Sequence, residues 1–179
     1  MLFLYKKIME EKNSIWKVAL NYGAISGLGL VILSTIWYVT NLTFNEYVGI
    51  LNYIIIIFSI IIATKKQREF DNGFINYGKA LGVGSVIGII SGFILSLFTY
   101  TLYATIDPDL INKMFLVQEQ ALMTNPSITD EQIEATINLL KKVTTPSILA
   151  VGTFFSISFI GFVISLITSA VLKKNKEIF

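Results

Sequence analysis

Residues 80–105 read ALGVGSVIGIISGFILSLFTYTLYAT, and no charged side chain interrupts these 26 residues. A helix of that length rises about 39 Å, which is enough to cross a hydrocarbon core of about 30 Å. A strand with open edges would leave backbone hydrogen-bonding groups unpaired in lipid. The segment is therefore predicted to be a transmembrane helix.

Three further stretches are apolar over similar lengths, at approximately 16–39, 47–64 and 147–172. The second contains many isoleucines, each of which favours insertion by about 0.3 to 0.6 kcal/mol. The first is too long for a cleaved signal peptide and lacks a small-residue cleavage site, so it is expected to stay in the mature chain. The composition agrees, with 54% hydrophobic and 15% charged residues and a mean hydropathy of +0.68. We predict one all-α membrane domain over 1–179 with four transmembrane helices.

Basic residues are distributed unevenly around these spans. Eleven of the fourteen Lys and Arg residues lie in the N-terminal tail, the second connection or the C-terminal tail. The remaining three lie in the long third connection, 107–146, which also carries six acidic residues. The positive-inside rule therefore predicts that both termini are cytoplasmic and that 107–146 lies outside.

The connection 107–146 is too long for a plain loop, and it carries the signals of two short helices. Asp107 and Pro108 resemble an N-cap followed by proline at the first helical position. Thr129 and Gln132 resemble a capping box that opens a second helix. Apolar residues recur along one face of each helix: Leu110, Ile111, Met114, Phe115 and Leu122, then Ile133, Ile137 and Leu140. The prediction is an amphipathic helical hairpin on the outer ends of the spans or on the lipid surface, with a partner-binding site as the alternative.

Small residues recur every four positions along one face of three predicted spans. They are Ala80, Gly84, Gly88, Gly92 and Ser96 in the third span, Ala19, Gly23 and Gly27 in the first, and Gly161, Ser165 and Ser169 in the fourth. Small residues let the backbones of membrane helices come close together, so these three helices are predicted to pack against one another through these faces. The alternative is that one face, with Gly84, Gly88 and Gly92, mediates a homo-oligomer.

Two parts of the chain resemble each other. The tripeptide NYG at 21–23 recurs 55 residues later at 76–78, and the run KKQRE at 65–69 is similar to KKNKE at 173–177. In both cases NYG is expected to open an outward-running helix. The pattern indicates a duplicated two-helix hairpin, an arrangement that occurs in transporters.

Residues that carry chemistry are scarce. The predicted spans hold no ionisable Asp, Glu, Arg or His and only Lys17 at a border, and the chain has no Cys and no His. Proton relays, ion-coupling carboxylates, thiol chemistry and the usual zinc sites therefore have no candidates. We predict no catalytic, cofactor-binding or metal-binding residue, no enzyme activity and, from the net charge of +2, no nucleic-acid partner. An enzyme would need a cleft that gathers Glu69, Asp71 and Lys79 beside Tyr77.

Several short motifs together resemble a known family. They are IWK at 15–17, NYG at 21–23, KK at 65–66, NGF at 72–74, YGKAL at 77–81, DP at 107–108 and EQ at 119–120. From about Met9 onward the chain resembles the bacterial multi-pass membrane family known as domain of unknown function 4199. The resemblance implies a protein of the bacterial inner membrane, and it implies no activity and no cofactor.

The sequence thus favours a structural or interaction subunit embedded in the lipid bilayer, either homo-oligomeric or bound to another membrane protein. The alternative is a small transporter or channel component built from two helical hairpins. Asn21, Asn52 and the hydroxyl groups of the spans would then line a polar path. A polar stripe shared by several helices favours that alternative, and a dry, tightly packed interior counts against it.

Overall fold

The computed structural model of the protein describes residues 2–45 and 47–174. Within these residues the chain forms six α-helices: α1 Leu2–Val39, α2 Gly49–Phe70, α3 Tyr77–Thr101, α4 Leu110–Met123, α5 Asp130–Val143 and α6 Pro146–Leu172. A π-helical turn, Leu102–Ile106, extends α3. Helices α1, α2, α6 and α3 with its π turn are long and apolar enough to cross a membrane. The described residues contain no β-strand beyond one isolated bridge, so the prediction of an all-α protein with four membrane spans is confirmed.

Helix α2 is longer than predicted. The span was expected to end at 64, with the basic run 65–69 in a loop, whereas α2 continues to Phe70. Lys, Gln, Arg and Glu are good helix formers, and Lys66 and Glu69 form an ion pair of 2.9 Å one turn apart. The basic run is therefore the C-terminal end of α2 and not a loop, and the connection to α3 shortens to six residues, 71–76.

The two NYG copies have different surroundings. Asn76 is the N-cap of α3, and its side chain accepts a hydrogen bond from the Lys79 backbone N–H at 2.8 Å. Asn21, by contrast, lies well inside α1. The expectation that both copies open a helix is thus wrong for the first copy, because α1 begins far upstream of it. The second basic run extends beyond the described residues, and the duplication stays a sequence hypothesis.

The capping and turn motifs predicted between the helices are present in the structure, with one exception. The Thr129 and Gln132 capping box is present and starts α5. The predicted N-cap at Asp107 is wrong, because α4 begins at Leu110 and the Asp107 carboxylate instead contacts Lys113 and Tyr38. Asn72 and Gly73 adopt left-handed φ angles of 56° and 87° and turn the chain from α2 into α3.

Helix α3 is at the centre of the bundle. Its most extensive contact is with α6, the next with α1, and α2 packs more lightly against the other three. The apolar core between these helices consists of Val18, Ala19, Leu30, Ile56, Ile60, Ala63, Val83, Ile87, Leu95 and Ile157.

The bundle is packed more closely at one end than at the other. The buried residues of α2 all lie between Ile56 and Gln67, and those of α6 between Ile157 and Ser169. Residues 49–55 of α2 and 146–156 of α6 include no buried residue. We call the half that ends in the 71–76 connection the closed half, and the half that leads to α4 and α5 the open half.

Candidate functional site

The third and fourth spans meet through their small residues. A Cβ atom added to Gly161 would lie 2.6 Å from the Cα of Gly88, so the two backbones are in direct contact. A Cβ on Gly92 would lie 2.9 Å from the Phe154 carbonyl oxygen. Nothing larger than hydrogen fits at these positions without moving a helix.

The same face continues to both sides of this contact. Gly84 lies against Ser165, whose hydroxyl donates to the Leu81 carbonyl at 3.0 Å. Ala80 and Ser96, at the ends of the stripe, and Ser169 on α6 are also buried. These residues bring α3 and α6 together along the closed half and into the middle of the bundle.

The small residues of α1 meet a different kind of partner. Ala19, Gly23 and Gly27 are buried, but the two glycines face Ile90 and Ile94 of α3. The prediction of small faces packed on small faces is therefore wrong for α1, because the branched isoleucines fill the notches that its glycines leave. Ser26 and Ser91 hydrogen-bond across this contact, and Ser91 also donates to the Gly23 carbonyl at 3.1 Å.

These contacts decide whether the glycine face of α3 is free for a second copy of the chain. Gly84, Gly88 and Gly92 are all buried against α6 within one chain. Within one chain this face is therefore occupied by α6, and homo-oligomerisation stays a prediction.

The turn between α2 and α3 is held by polar contacts. Lys79 Nζ lies 2.9 Å from Asp71 Oδ1, and both side chains are mostly buried, with 9% and 17% exposed. The Gln67 amide donates to the same carboxylate. Glu69 instead binds Lys66 on the surface and is not part of this group of contacts.

The closed half is also tied to the end of α6. Ile75 and Lys174 exchange two backbone hydrogen bonds, of 3.0 and 2.8 Å. Among the described residues there is no group of three or more metal-ligating His, Cys, Asp or Glu side chains. The polar contacts at this end thus join α2, α3 and α6.

A cavity of about 660 Å³ occupies the open half, between α1, α2, α6 and the end of α3 with its π turn. Its polar lining includes Ser34, Trp37, Asn52, Thr99, Tyr103 and Thr153. Among the residues that the structure describes, none that lines the cavity is charged. Asn52 was expected to face a polar path and does line this cavity, whereas Asn21 is exposed at the closed half and does not.

Two polar atoms in the cavity wall lack hydrogen bonds. Within the described part of the chain, neither the Trp37 indole N–H nor the Asn52 side-chain oxygen has a partner, although both atoms are buried. Buried polar groups are normally hydrogen-bonded, because an unpaired group has lost its hydrogen bonds to water and has gained no other bond in return. The cavity wall therefore contains one unpaired donor and one unpaired acceptor, both covered by neighbouring protein atoms.

Sequence reasoning missed Trp37 and the π turn. A tryptophan near the end of a span is typical of an anchor at the membrane interface, so its position in the sequence does not indicate that it lines a cavity. The π turn places Leu102 and Tyr103 in the cavity wall. Single π turns often occur at functional sites, but their hydrogen-bond pattern has no clear sequence signal.

Helices α4 and α5 pack against each other beside the open half. Phe115 of α4 and Ile133 and Ile137 of α5 are buried. Asp107, at the base of the pair, forms an ion pair of 3.2 Å with Lys113, and the Tyr38 hydroxyl lies 3.5 Å from the same carboxylate. Large apolar side chains nevertheless stay exposed on the pair: Leu116, Val117, Met123, Leu139 and Val143.

Comparison with known proteins identifies the family to which the chain belongs. The sequence model of the family described as protein of unknown function (DUF4199) matches residues 21–174 of the 179-residue chain. No curated protein and no solved structure matches the chain. The expected family resemblance is confirmed, with a match that begins at residue 21 instead of near Met9.

Proposed function

Because the chain belongs to the DUF4199 family of proteins of unknown function, we propose its role from its own structure: it is an interaction subunit of the bacterial inner membrane. Both termini are cytoplasmic, and the α4–α5 pair lies outside. The distribution of Lys and Arg supports this orientation, since the closed half carries Lys65, Lys79 and Lys173 and the open half leads to a connection with more acidic than basic residues.

The uncovered apolar surface of the α4–α5 pair carries the proposal. Leu116 and Leu139 are 58% and 63% exposed, although the pair already buries an apolar seam of its own. Exposed apolar surface of this kind outside the hydrocarbon core is typical of a protein contact.

The charge of the pair favours a protein partner over the lipid surface. Helices that lie on anionic lipid are usually rich in Lys and Arg on their polar face. Helix α5 instead begins with Asp130, Glu131 and Glu134, and its basic residues are confined to Lys141 and Lys142. We infer that the pair docks onto another membrane protein or onto an extracytoplasmic partner.

The four spans act as the scaffold that presents this surface. The glycine contacts between α3 and α6 and the isoleucine contacts between α1 and α3 are internal to one chain. We propose that they stabilise the bundle and position the α4–α5 pair, instead of joining copies of the protein.

Photocrosslinking in native membranes tests the proposal. A benzophenone amino acid at Leu116 or Leu139 should yield a discrete adduct with one reproducible protein, identified by mass spectrometry. The matched control is Phe159, which is 67% exposed on the lipid face of α6 and should yield lipid adducts. Lipid adducts alone at all three positions would overturn the proposal.

A transporter or channel component is the second candidate, and the cavity in the open half favours it. Four helices share its polar lining, including Asn52. However, the cavity is blind, because the backbones of Gly88 and Gly161 are in contact below it. Transport would require α3 and α6 to separate, and flux of an uncharged solute into proteoliposomes that contain the protein would favour this candidate.

A further inference from the structure

We propose that the cavity in the open half is a binding site for a neutral acylglycerol lipid. The acyl chain lies among the apolar residues at the base of the cavity. The uncharged glycerol head, with its hydroxyl and ester groups, lies between Trp37 and Asn52. The site is separate from the α4–α5 surface, and the inference does not depend on the interaction-subunit proposal.

The position of the cavity selects a ligand from the membrane. Its volume of about 660 Å³ lies within the range of roughly 300 to 1,000 Å³ that is usual for small-molecule sites. It lies between helix segments that include no buried residue, 49–55 of α2 and 146–156 of α6. These segments belong to membrane spans, so the surrounding medium is lipid.

The polarity of the lining changes with depth as it does along a lipid molecule. Trp37 lies two residues before the end of α1, and Asn52 three residues after the start of α2, so both are near the membrane surface. Ile160 lies fourteen residues into α6, about 20 Å from the start of that helix along its axis. The lining thus mixes polar and apolar side chains near the surface, where a headgroup sits, and ends among apolar side chains such as Ile157 and Ile160, where an acyl chain ends.

The charge of the lining selects the headgroup. No described residue that lines the cavity is charged, so a phosphate would meet no cation among them. The two unpaired atoms match a neutral glycerol head once their side chains turn towards the cavity, because the Trp37 N–H then donates to an ester carbonyl and the Asn52 oxygen accepts from a hydroxyl. Phospholipids offer the same ester groups, but their charged heads have no counterpart in this wall.

The chain supplies its own reporter for this binding. It has two tryptophans, and Trp16 lies 21 residues before Trp37 in α1, about 30 Å away along the helix axis, so Trp16→Phe leaves Trp37 as the single tryptophan. The variant is placed in phosphatidylcholine nanodiscs, and brominated diacylglycerol or brominated phosphatidylcholine is added at equal bromine content. Diacylglycerol should quench Trp37 saturably at a few mole per cent, and at least threefold more than phosphatidylcholine does. Equal quenching by both lipids would overturn the proposal, because Trp37 would then report only the bulk bilayer.

Two substitutions in the cavity should abolish the saturable quenching. Gly152→Phe fills the cavity from a position where an added Cβ meets no atom within 4 Å, and Asn52→Leu removes the acceptor. The matched control is Gly82→Phe, because Gly82 has equally open surroundings but lies outside the cavity. Circular dichroism and size-exclusion profiles show which variants are folded. If Gly152→Phe does not fold, Asn52→Leu serves as the test. Saturable quenching that persists in a folded cavity variant would overturn the site.

Discussion

Replacing Gly161 by alanine should loosen the contact between α3 and α6. The new Cβ would lie 2.6 Å from the Cα of Gly88 and 3.4 Å from its amide nitrogen. Carbon atoms in favourable contact are about 3.5 to 4.0 Å apart, so the two helices would have to separate by about 1 Å. Overpacking of this kind costs about 1 to 3 kcal/mol.

The matched control is Gly152→Ala in the same helix. A Cβ at Gly152 meets no atom within 4 Å, so this variant changes helix propensity without a steric conflict. Alanine is favoured over glycine by about 1 kcal/mol in a helix interior, and Gly152→Ala should therefore be as stable as the parent or slightly more stable. Gly161→Ala gains the same propensity and should still be less stable than Gly152→Ala by about 1 to 3 kcal/mol.

The free energy of unfolding is measured by far-UV circular dichroism as SDS is titrated into mild detergent micelles. Size-exclusion chromatography checks that both variants keep the oligomeric state of the parent. If the two variants unfold at the same SDS fraction, the backbone contact between Gly88 and Gly161 does not limit how closely the helices pack, and the reasoning fails.

Two further predictions concern the closed half and the orientation. Lys79→Met leaves the mostly buried Asp71 carboxylate with the Gln67 amide but without a cation, and should cost about 3 kcal/mol in the same unfolding assay. Lys66→Met breaks a solvent-screened surface pair and should cost clearly less; equal losses would contradict this ranking. Single cysteines in this cysteine-free chain test the topology. Asn125→Cys should react with an impermeant maleimide in intact cells, and Glu69→Cys should react only after permeabilisation. The reverse labelling pattern would show that the protein has the opposite orientation. Glu69 is chosen because it is exposed, whereas its neighbour Gln67 is fully buried.

Features that depend only on residues close together in the sequence could be predicted from it. The apolar length of residues 80–105 is enough to specify a membrane span, because lipid offers no partner for unpaired backbone groups. The capping box of Thr129 and Gln132 formed where it was expected, since both partners lie within one helical turn. Even so, the start of α4 was misplaced, because Asp107 found a distant partner in Tyr38 that no local pattern indicates.

The partners of each small-residue face were decided by the tertiary structure. A four-residue spacing shows which face of a helix is smooth, but it does not show what will lie against that face. Gly88 of α3 contacts Gly161 of α6, whereas Gly23 and Gly27 of α1 contact isoleucines of α3. The groove beside a helical glycine can be filled by the backbone of a neighbouring helix or by its side chains. Which of the two fills it depends on the packing of the whole bundle.

Sequence alone thus determined how many spans this protein has, where they lie and how little ionisable chemistry they carry, because hydropathy and helix length act locally along the chain. Tertiary structure alone decided that α3 is central, that its glycine face is used internally and that a cavity with an unpaired Trp37 and Asn52 opens between the spans. A cavity is space left between helices that are distant in sequence. Its existence depends on how closely those helices pack along their length, and no single segment encodes that.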